Sequence, residues 1–102
     1  MDVKKLSNEE VYKLLENLST WKIKESKLYK LYKFKNFNQA MSFMVSVAME
    51  CEKMNHHPQW YNVYGNVEVS LTTHRVAGIT ELDFKLAGIM DKLSSNLNPR
   101  KD

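Results

Sequence analysis

The sequence contains little cysteine, glycine or proline. Its 102 residues include one cysteine, three glycines and two prolines. One cysteine excludes an intrachain disulfide and zinc sites built from two or four cysteines. So few glycines and prolines are atypical of linkers, and no glycine-rich phosphate loop of the Walker A or dinucleotide type is present. A lone thiol suits a reducing compartment, so we predict a cytoplasmic protein, with the nucleus as the alternative.

Long hydrophobic runs are also missing. Residues 1–5 carry charges without an apolar segment behind them, so we predict no signal peptide. Residues 37–49 are uncharged, but they include four polar side chains and are too short to cross a bilayer. We therefore expect no contact with membranes. The 43% hydrophobic and 26% charged fractions are typical of a globular domain. We predict one domain over residues 1–102, with residues 98–102 as a frayed tail.

Three segments have the periodicity of amphipathic helices: residues 7–18, 38–54 and 80–97. The first opens with Ser7 and Glu10 at the spacing of a capping box, and Thr80 and Asp83 repeat that spacing in the third. Pro58 disfavours helical geometry just before it, and Asn55 suits the cap that ends the middle helix.

Two further regions read as β-hairpins. The first joins residues 21–24 and 28–35 through a turn at residues 25–27, and the second joins residues 60–64 and 67–73 through Gly65-Asn66. Lys30 interrupts the alternation of the first hairpin, so its register stays open. The order α-β-β-α-β-β-α predicts an α+β fold, a four-stranded antiparallel sheet with three helices packed on one face.

Charge is unevenly distributed along the chain. Residues 21–36 contain six lysines and one glutamate and therefore carry a net charge of +5. Because the whole chain has a net charge of +3, the remaining residues together carry −2. A basic segment with interleaved aromatic residues can bind single-stranded nucleic acid. An ordinary solvated strand face explains the same pattern more simply, so we treat nucleic acid as an unlikely partner.

The histidines are the unusual feature. His56 and His57 follow the middle helix directly, where unpaired carbonyls favour a cationic side chain, and His74 ends the last strand. Histidine is the side chain best suited to acid–base catalysis near neutral pH. From spacing alone, a solvated helix end is the simpler explanation of the pair. His74 also fits a surface position, Asp83 a capping residue, and Glu52 an exposed helix residue.

A metal site receives little support from the spacing. Adjacent histidines on an irregular segment rarely bind one ion together, and no pair of histidines stands four residues apart. Cys51 falls on the apolar stripe of its helix, which speaks against a cysteine nucleophile. We predict no metal ligand.

The chain resembles the pterin-4a-carbinolamine dehydratases. The resemblance lies in residues 52–64, with the sequence EKMNHHPQWYNVY, in Thr73-His74, in residues 78–83, and in Trp21 and residues 34–40 upstream. It covers about residues 6–95, and its His-His-Pro-x-Trp core with Thr-His downstream is specific.

The resemblance implies a reaction and its site. Relatives dehydrate 4a-hydroxytetrahydrobiopterin to quinonoid 6,7-dihydrobiopterin and water, in recycling of the pterin used by aromatic amino acid hydroxylases. They need no metal or organic cofactor, and they form homodimers or homotetramers. The implied catalytic residues are His56, His57 and His74, with Glu52 and Asp83 as the orienting acids. The implied substrate-binding residues are Asn55, Pro58, Trp60, Thr72 and Thr73.

Two positions depart from the family pattern. Asn55 stands where relatives often carry aspartate, and Arg75 stands where an acidic residue is common. Some animal relatives also bind a homeodomain transcription factor. A non-catalytic interaction module of that kind is therefore the alternative to an enzyme, with a basic nucleic-acid-binding domain as a weaker one.

Overall fold

The fold of the protein is given by a computed structural model that describes residues 3–97. Its helices and strands are α1 (Asn8–Leu15), β1 (Lys22–Lys24), β2 (Lys27–Lys33), α2 (Phe37–Met54), β3 (Gln59–Val63), β4 (Asn66–Leu71) and α3 (Glu81–Ser95), with a short 3-10 helix at His74–Val76. The predicted α+β class and element order are confirmed. The predicted frayed tail, residues 98–102, lies outside the described residues.

The four strands form one antiparallel sheet in the order β1-β2-β4-β3. In β4, Val67, Val69 and Leu71 are fully buried, whereas the residues between them are partly exposed. These inward side chains share one core with buried residues of all three helices, among them Val11, Phe43 and Leu86. The helices therefore cover one face of the sheet, as the alternating pattern of β4 predicts.

Capping interactions fix where the helices begin. Both predicted capping boxes are present: Ser7 with Glu10 at α1, and Thr80 with Asp83 at α3. Helix α2 begins one residue earlier than predicted, because the Asn36 side chain accepts a hydrogen bond from the Gln39 backbone N–H.

The apolar stripe of α2 is wider than the face that it buries. Ala40, Phe43, Val47 and Cys51 are buried against the sheet and α3. A second row of apolar residues remains exposed on the same helix: Phe37, Met41, Val45 and Met49. The apolar residues of α2 therefore form two faces, one packed in the core and one exposed to solvent.

The turn of the second hairpin lies one residue before the predicted Gly65-Asn66. Val63 pairs with Asn66, so the turn residues are Tyr64 and Gly65, and Tyr64 adopts a positive φ of 52°. The Gly65 carbonyl accepts a hydrogen bond of 2.7 Å from the Phe34 N–H. A Cβ at Gly65 would overlap the Phe34 carbonyl oxygen. Glycine is therefore required at this position because the chain at the end of β2 approaches so closely. Turn propensity, which reflects only neighbouring residues, cannot predict this long-range contact.

Lys30 interrupts the first hairpin pattern because it lies on the inner face of the sheet. Its ammonium group is 2.8 Å from the Asp91 carboxylate of α3 and 2.8 Å from the Thr20 hydroxyl. The same carboxylate accepts from Trp21 Nε1 at 3.1 Å and from the Tyr32 hydroxyl at 2.5 Å. Burial and the Asp91 carboxylate raise the pKa of Tyr32, so its hydroxyl remains a donor. Asp91 thus ties the first hairpin to α3.

We expect Asp91→Ala to lower the free energy of unfolding by about 2–3 kcal/mol, because two buried donors and one lysine lose their acceptor. Urea unfolding followed by circular dichroism measures the change. Lys92→Ala, at an exposed position of the same helix, is the matched control and should stay within about 0.5 kcal/mol of wild type. Equal stability of the two variants would contradict this role for Asp91.

Candidate functional site

The candidate site begins where α2 ends. Asn55 adopts the left-handed conformation, with φ 49° and ψ 47°, which asparagine tolerates better than most residues. The His56 backbone N–H then donates to the Cys51 carbonyl, closing the helix end in a Schellman arrangement. The reversal separates two adjacent histidines: His56 is buried and His57 is exposed.

His56 is held by a buried carboxylate. Its Nε2 lies 2.6 Å from Asp83 Oδ1, and the Asp83 side chain is completely buried. If the Asp83 carboxylate is ionised, it only accepts hydrogen bonds, and Nε2 then carries the proton of this pair. In the neutral imidazole, Nδ1 is consequently the ring nitrogen with a lone pair.

Asp83 Oδ2 serves a second set of donors. It accepts from the Thr73 hydroxyl at 2.9 Å and from the Thr80 backbone N–H at 2.9 Å. The Thr73 and Thr80 hydroxyls are 2.8 Å apart, and Thr80 Oγ1 accepts in turn from the Leu82 N–H. Because Thr73 donates to the carboxylate, Thr80 donates to Thr73. Asp83 therefore takes part in the capping box of α3 and also holds His56. The capping role and the contact with a histidine, both expected from the sequence, belong to the same side chain.

His57 makes the second histidine–carboxylate contact. Its Nε2 is 2.6 Å from Glu52 Oε2, with 55% of the histidine side chain and 77% of the glutamate side chain exposed. Glu52 lies on the last turn of α2, five residues before His57. If Nε2 carries the shared proton, Nδ1 remains as the nitrogen available to a ligand.

His74 is presented by a closed loop. Thr73 and Gly78 form an antiparallel bridge, with the Thr73 N–H donating to the Gly78 carbonyl at 2.8 Å. The short 3-10 helix between them places His74 and Arg75 on the exposed side. Within residues 3–97, the His74 imidazole has no hydrogen-bond partner.

These segments meet at an open cleft of about 220 Å³. Its lining consists of Asn55, His56, His57, Thr72, Thr73, His74 and Arg75. All three histidines and three of the predicted substrate-binding residues are thus brought together, with Asp83 behind His56 and Glu52 beside His57. Pro58 and Trp60 are not among the lining residues. Trp60 packs against the core and lines a separate cavity on the sheet.

Two contributors to the site were not assigned a functional role from sequence. Arg75 lines the cleft, although the sequence marked it only as a departure from a family pattern. Thr80 supplies a hydroxyl to the Asp83 network, although its spacing indicated only a helix cap. The Thr80 contact depends on the bridge between Thr73 and Gly78, which turns the chain back so that Thr80 lies beside Thr73.

The structure also describes the residues on which the other candidate chemistries depend. Among residues 3–97, no three histidine, cysteine or acidic side chains are grouped so that they could hold a metal ion. None of the helices in the same range has both the length and the hydropathy of a membrane span. Cys51 is buried, and burial raises the pKa of its thiol to about 11. In the basic hairpin, Lys27 bonds to Gln59, and Lys24 lies 4.5 Å from the Tyr29 ring centroid. Both lysines thus make contacts within the fold.

We expect Asp83→Ala to lower the free energy of unfolding by about 3 kcal/mol, because His56, Thr73 and the Thr80 N–H lose a buried acceptor. Urea unfolding measures the loss. The control is Glu81→Ala, an exposed acid in the same first turn, which should change stability by less than about 0.5 kcal/mol. If Asp83→Ala also lowered the free energy of unfolding by less than about 0.5 kcal/mol, the buried network would not stabilise the fold.

Comparisons with known proteins agree on one family. Residues 4–93 match the sequence profile described as pterin 4 alpha carbinolamine dehydratase. A Sinorhizobium fredii protein, provisionally named as that dehydratase, is 43% identical over 97% of this chain and 96% of its own. A similarly named Prochlorococcus marinus protein is 44% identical over 91% of this chain and 97% of its own.

The fold comparison reaches the same family. A crystal structure of a transcriptional coactivator/pterin dehydratase from Brucella melitensis superposes with a TM-score of 0.87 at 36% identity. The match covers 89% of this chain and 99% of that one.

Proposed function

Because the chain belongs to the pterin 4 alpha carbinolamine dehydratase family, we propose that it dehydrates 4a-hydroxytetrahydrobiopterin to quinonoid 6,7-dihydrobiopterin and water. The observation that carries the proposal is the convergence of three histidines on one cleft, two of them paired with carboxylates. The proposed context is pterin recycling for aromatic amino acid hydroxylases, in a reducing cytoplasm where the single thiol of Cys51 stays free.

The reaction requires two proton transfers. The bond between C4a and the hydroxyl oxygen breaks while that oxygen receives a proton and leaves as water. N5 loses its proton, and its electron pair forms the new double bond to C4a. One acid and one base suffice, so the proposed mechanism uses neither a metal nor an organic cofactor. Positioned acid–base groups typically contribute about 10²–10⁴-fold.

His57 is the main acid–base group in this proposal. It is the exposed member of the adjacent pair, and Glu52 fixes one of its ring nitrogens while leaving Nδ1 for the substrate. The carboxylate also stabilises the imidazolium that forms when His57 takes a proton. An exposed imidazole can then return that proton to the leaving oxygen or to solvent.

His56 and His74 have different surroundings and therefore different proposed roles. The buried network of Asp83 holds His56 in one orientation, which suits a group that binds the substrate and shares its proton. His74 has no partner among residues 3–97 and lies on the loop across the cleft, which suits action on the opposite face of the pterin or on the other stereoisomer. Asn55, Thr72 and Thr73 offer polar groups around them, while Pro58 and Trp60 do not line the cleft and receive no direct role in this proposal.

We expect His57→Ala to lower kcat by about 100-fold, because the main proton-transfer group is removed. Stopped-flow absorbance of the 4a-carbinolamine, with and without protein, measures its decay above the uncatalysed rate. Lys53→Ala, an exposed substitution on the last turn of α2, is the matched control and should retain full activity.

Two results would revise the proposal. Turnover by His57→Ala within about threefold of wild type would remove the acid–base assignment while leaving the dehydratase. No acceleration by wild type would remove the enzyme itself and favour an interaction role, for which the coactivator name of the Brucella relative provides the precedent.

We also propose that the protein is a homodimer or homotetramer. Strand β3 is an edge of the sheet and exposes Tyr61, Val63 and the adjoining Tyr64. The uncovered face of α2, Phe37, Met41, Val45 and Met49, borders a shallow groove of about 530 Å³ that contains no titratable residue. An unpaired edge and an apolar helix face are both surfaces that favour self-association.

We expect Met41→Glu to reduce the assembly size, because it places a charge on this apolar face of α2. Sedimentation equilibrium of wild type and variant measures the mass. Glu9→Gln on exposed α1 is the control for a single charge change and should leave the mass unaltered. A monomeric wild type would contradict self-association, and an unchanged mass in Met41→Glu would move the interface away from α2.

A further inference from the structure

Arg75 is the one permanently charged residue in the lining of the histidine cleft. It is exposed in the short 3-10 helix His74–Val76, next to His74. Among residues 3–97 its guanidinium has no ion pair or hydrogen bond. Its neighbours in the lining are histidines, threonines and an asparagine, none of which can neutralise it.

The carboxylates near the cleft are already engaged. Asp83 is buried and bonded to His56, Thr73 and Thr80, and Glu52 is bonded to His57. Neither belongs to the lining itself. An anionic group entering beside Arg75 therefore meets a fixed positive charge and hydrogen-bond donors in the lining, while the exposed Glu52 carboxylate stands outside the lining and is bonded to His57.

A guanidinium binds carboxylates and phosphates through two parallel N–H groups, and this geometry is specific for planar or tetrahedral oxyanions. The neutral ring of a pterin does not require such a group, and neither proton transfer in the dehydration uses a permanent cation. The charge of Arg75 is therefore available to a substituent on the substrate.

We propose that the cleft selects pterin 4a-carbinolamines with an anionic side chain, a carboxylate or a phosphate ester, and that Arg75 is the specificity residue that binds this group. The proposal rests on the proposed dehydratase function and makes its substrate class more specific. The loop bridge between Thr73 and Gly78 fixes the base of the segment that carries Arg75, so the charge and His74 act on the same ligand.

The test compares three carbinolamines with a common ring: one with a neutral hydroxyalkyl side chain, one with a side-chain carboxylate and one with a side-chain phosphate ester. For wild type we expect kcat/KM to be about tenfold higher with an anionic side chain, consistent with a charge-assisted bond at an exposed site. The two anionic substrates show whether carboxylate or phosphate is preferred. The preference should shrink as salt is raised.

Arg75→Ala should remove the preference, because kcat/KM for the two anionic substrates falls about tenfold, to the level of the neutral substrate. Arg75→Glu should reverse it, and Arg75→Lys should keep part of it, because lysine retains the charge without the planar fork. The control Lys35→Glu makes the same change in net charge near the start of α2, about 27 Å along the helix from the cleft. It should leave the preference intact.

Binding separates this proposal from the dehydratase itself. Calorimetry with the stable, fully oxidised neutral, carboxylated and phosphorylated pterins reports affinity without turnover. Tighter binding of the anionic pterins by wild type, lost in Arg75→Ala, supports the anion site even if no carbinolamine is dehydrated. Equal kcat/KM and equal affinity for neutral and anionic ligands, unchanged by Arg75→Ala, would overturn the proposal while leaving any dehydratase activity in place.

Discussion

The buried Asp83 carboxylate is the interaction on which the site depends. It caps α3, receives the Thr73 hydroxyl and binds His56 at 2.6 Å. Complete burial of a carboxylate is costly unless its oxygens accept hydrogen bonds. The loss of any one donor would therefore destabilise the carboxylate that the other donors share. One side chain therefore fixes the start of a helix, the end of β4 and the orientation of a histidine. The start of α3 cannot shift without disturbing the imidazole.

A second carboxylate, Asp91, performs a comparable task farther along α3. It accepts from Trp21, Lys30 and Tyr32, all of the first hairpin region. The two acids anchor α3 to different parts of the sheet, one to the strand that leads into the histidine loop and one to β2. The site is consequently built on the rigid part of the fold, and its precision follows from the core rather than from the loop alone.

Much of this architecture was predictable because its determinants are local. The Ser7–Glu10 and Thr80–Asp83 capping boxes and the Asn55 cap depend on neighbouring residues, and all are present in the structure. The alternation of β4 likewise identified its buried face. Local signals of this kind place element boundaries within one to three residues.

The departures arise where distant parts of the chain meet. Lys30 faces inward because its ammonium group donates hydrogen bonds to Asp91 and Thr20. Asp91 is sixty-one residues away along the chain and Thr20 is ten residues away. Gly65 serves the approach of Phe34 rather than the predicted turn position. Trp60, which the family resemblance implied as a substrate-binding residue, packs against the core and is not among the residues that line the cleft. The sequence motif identified the residues near the site, but only the sheet register decides which of them reach it.

The cleft combines a fixed half with an open half, and this division matches what a proton-transfer reaction requires. His56 is buried and bonded through Nε2 to Asp83, so its position is fixed. His57 and His74 are exposed, so proton transfer at either ring, as the proposed reaction requires, leaves the buried network unchanged. The left-handed turn at Asn55 produces this contrast between two consecutive histidines. Arg75 also belongs to the exposed half, so the proposed specificity residue can be exchanged without a change in the Asp83 network that stabilises the fold.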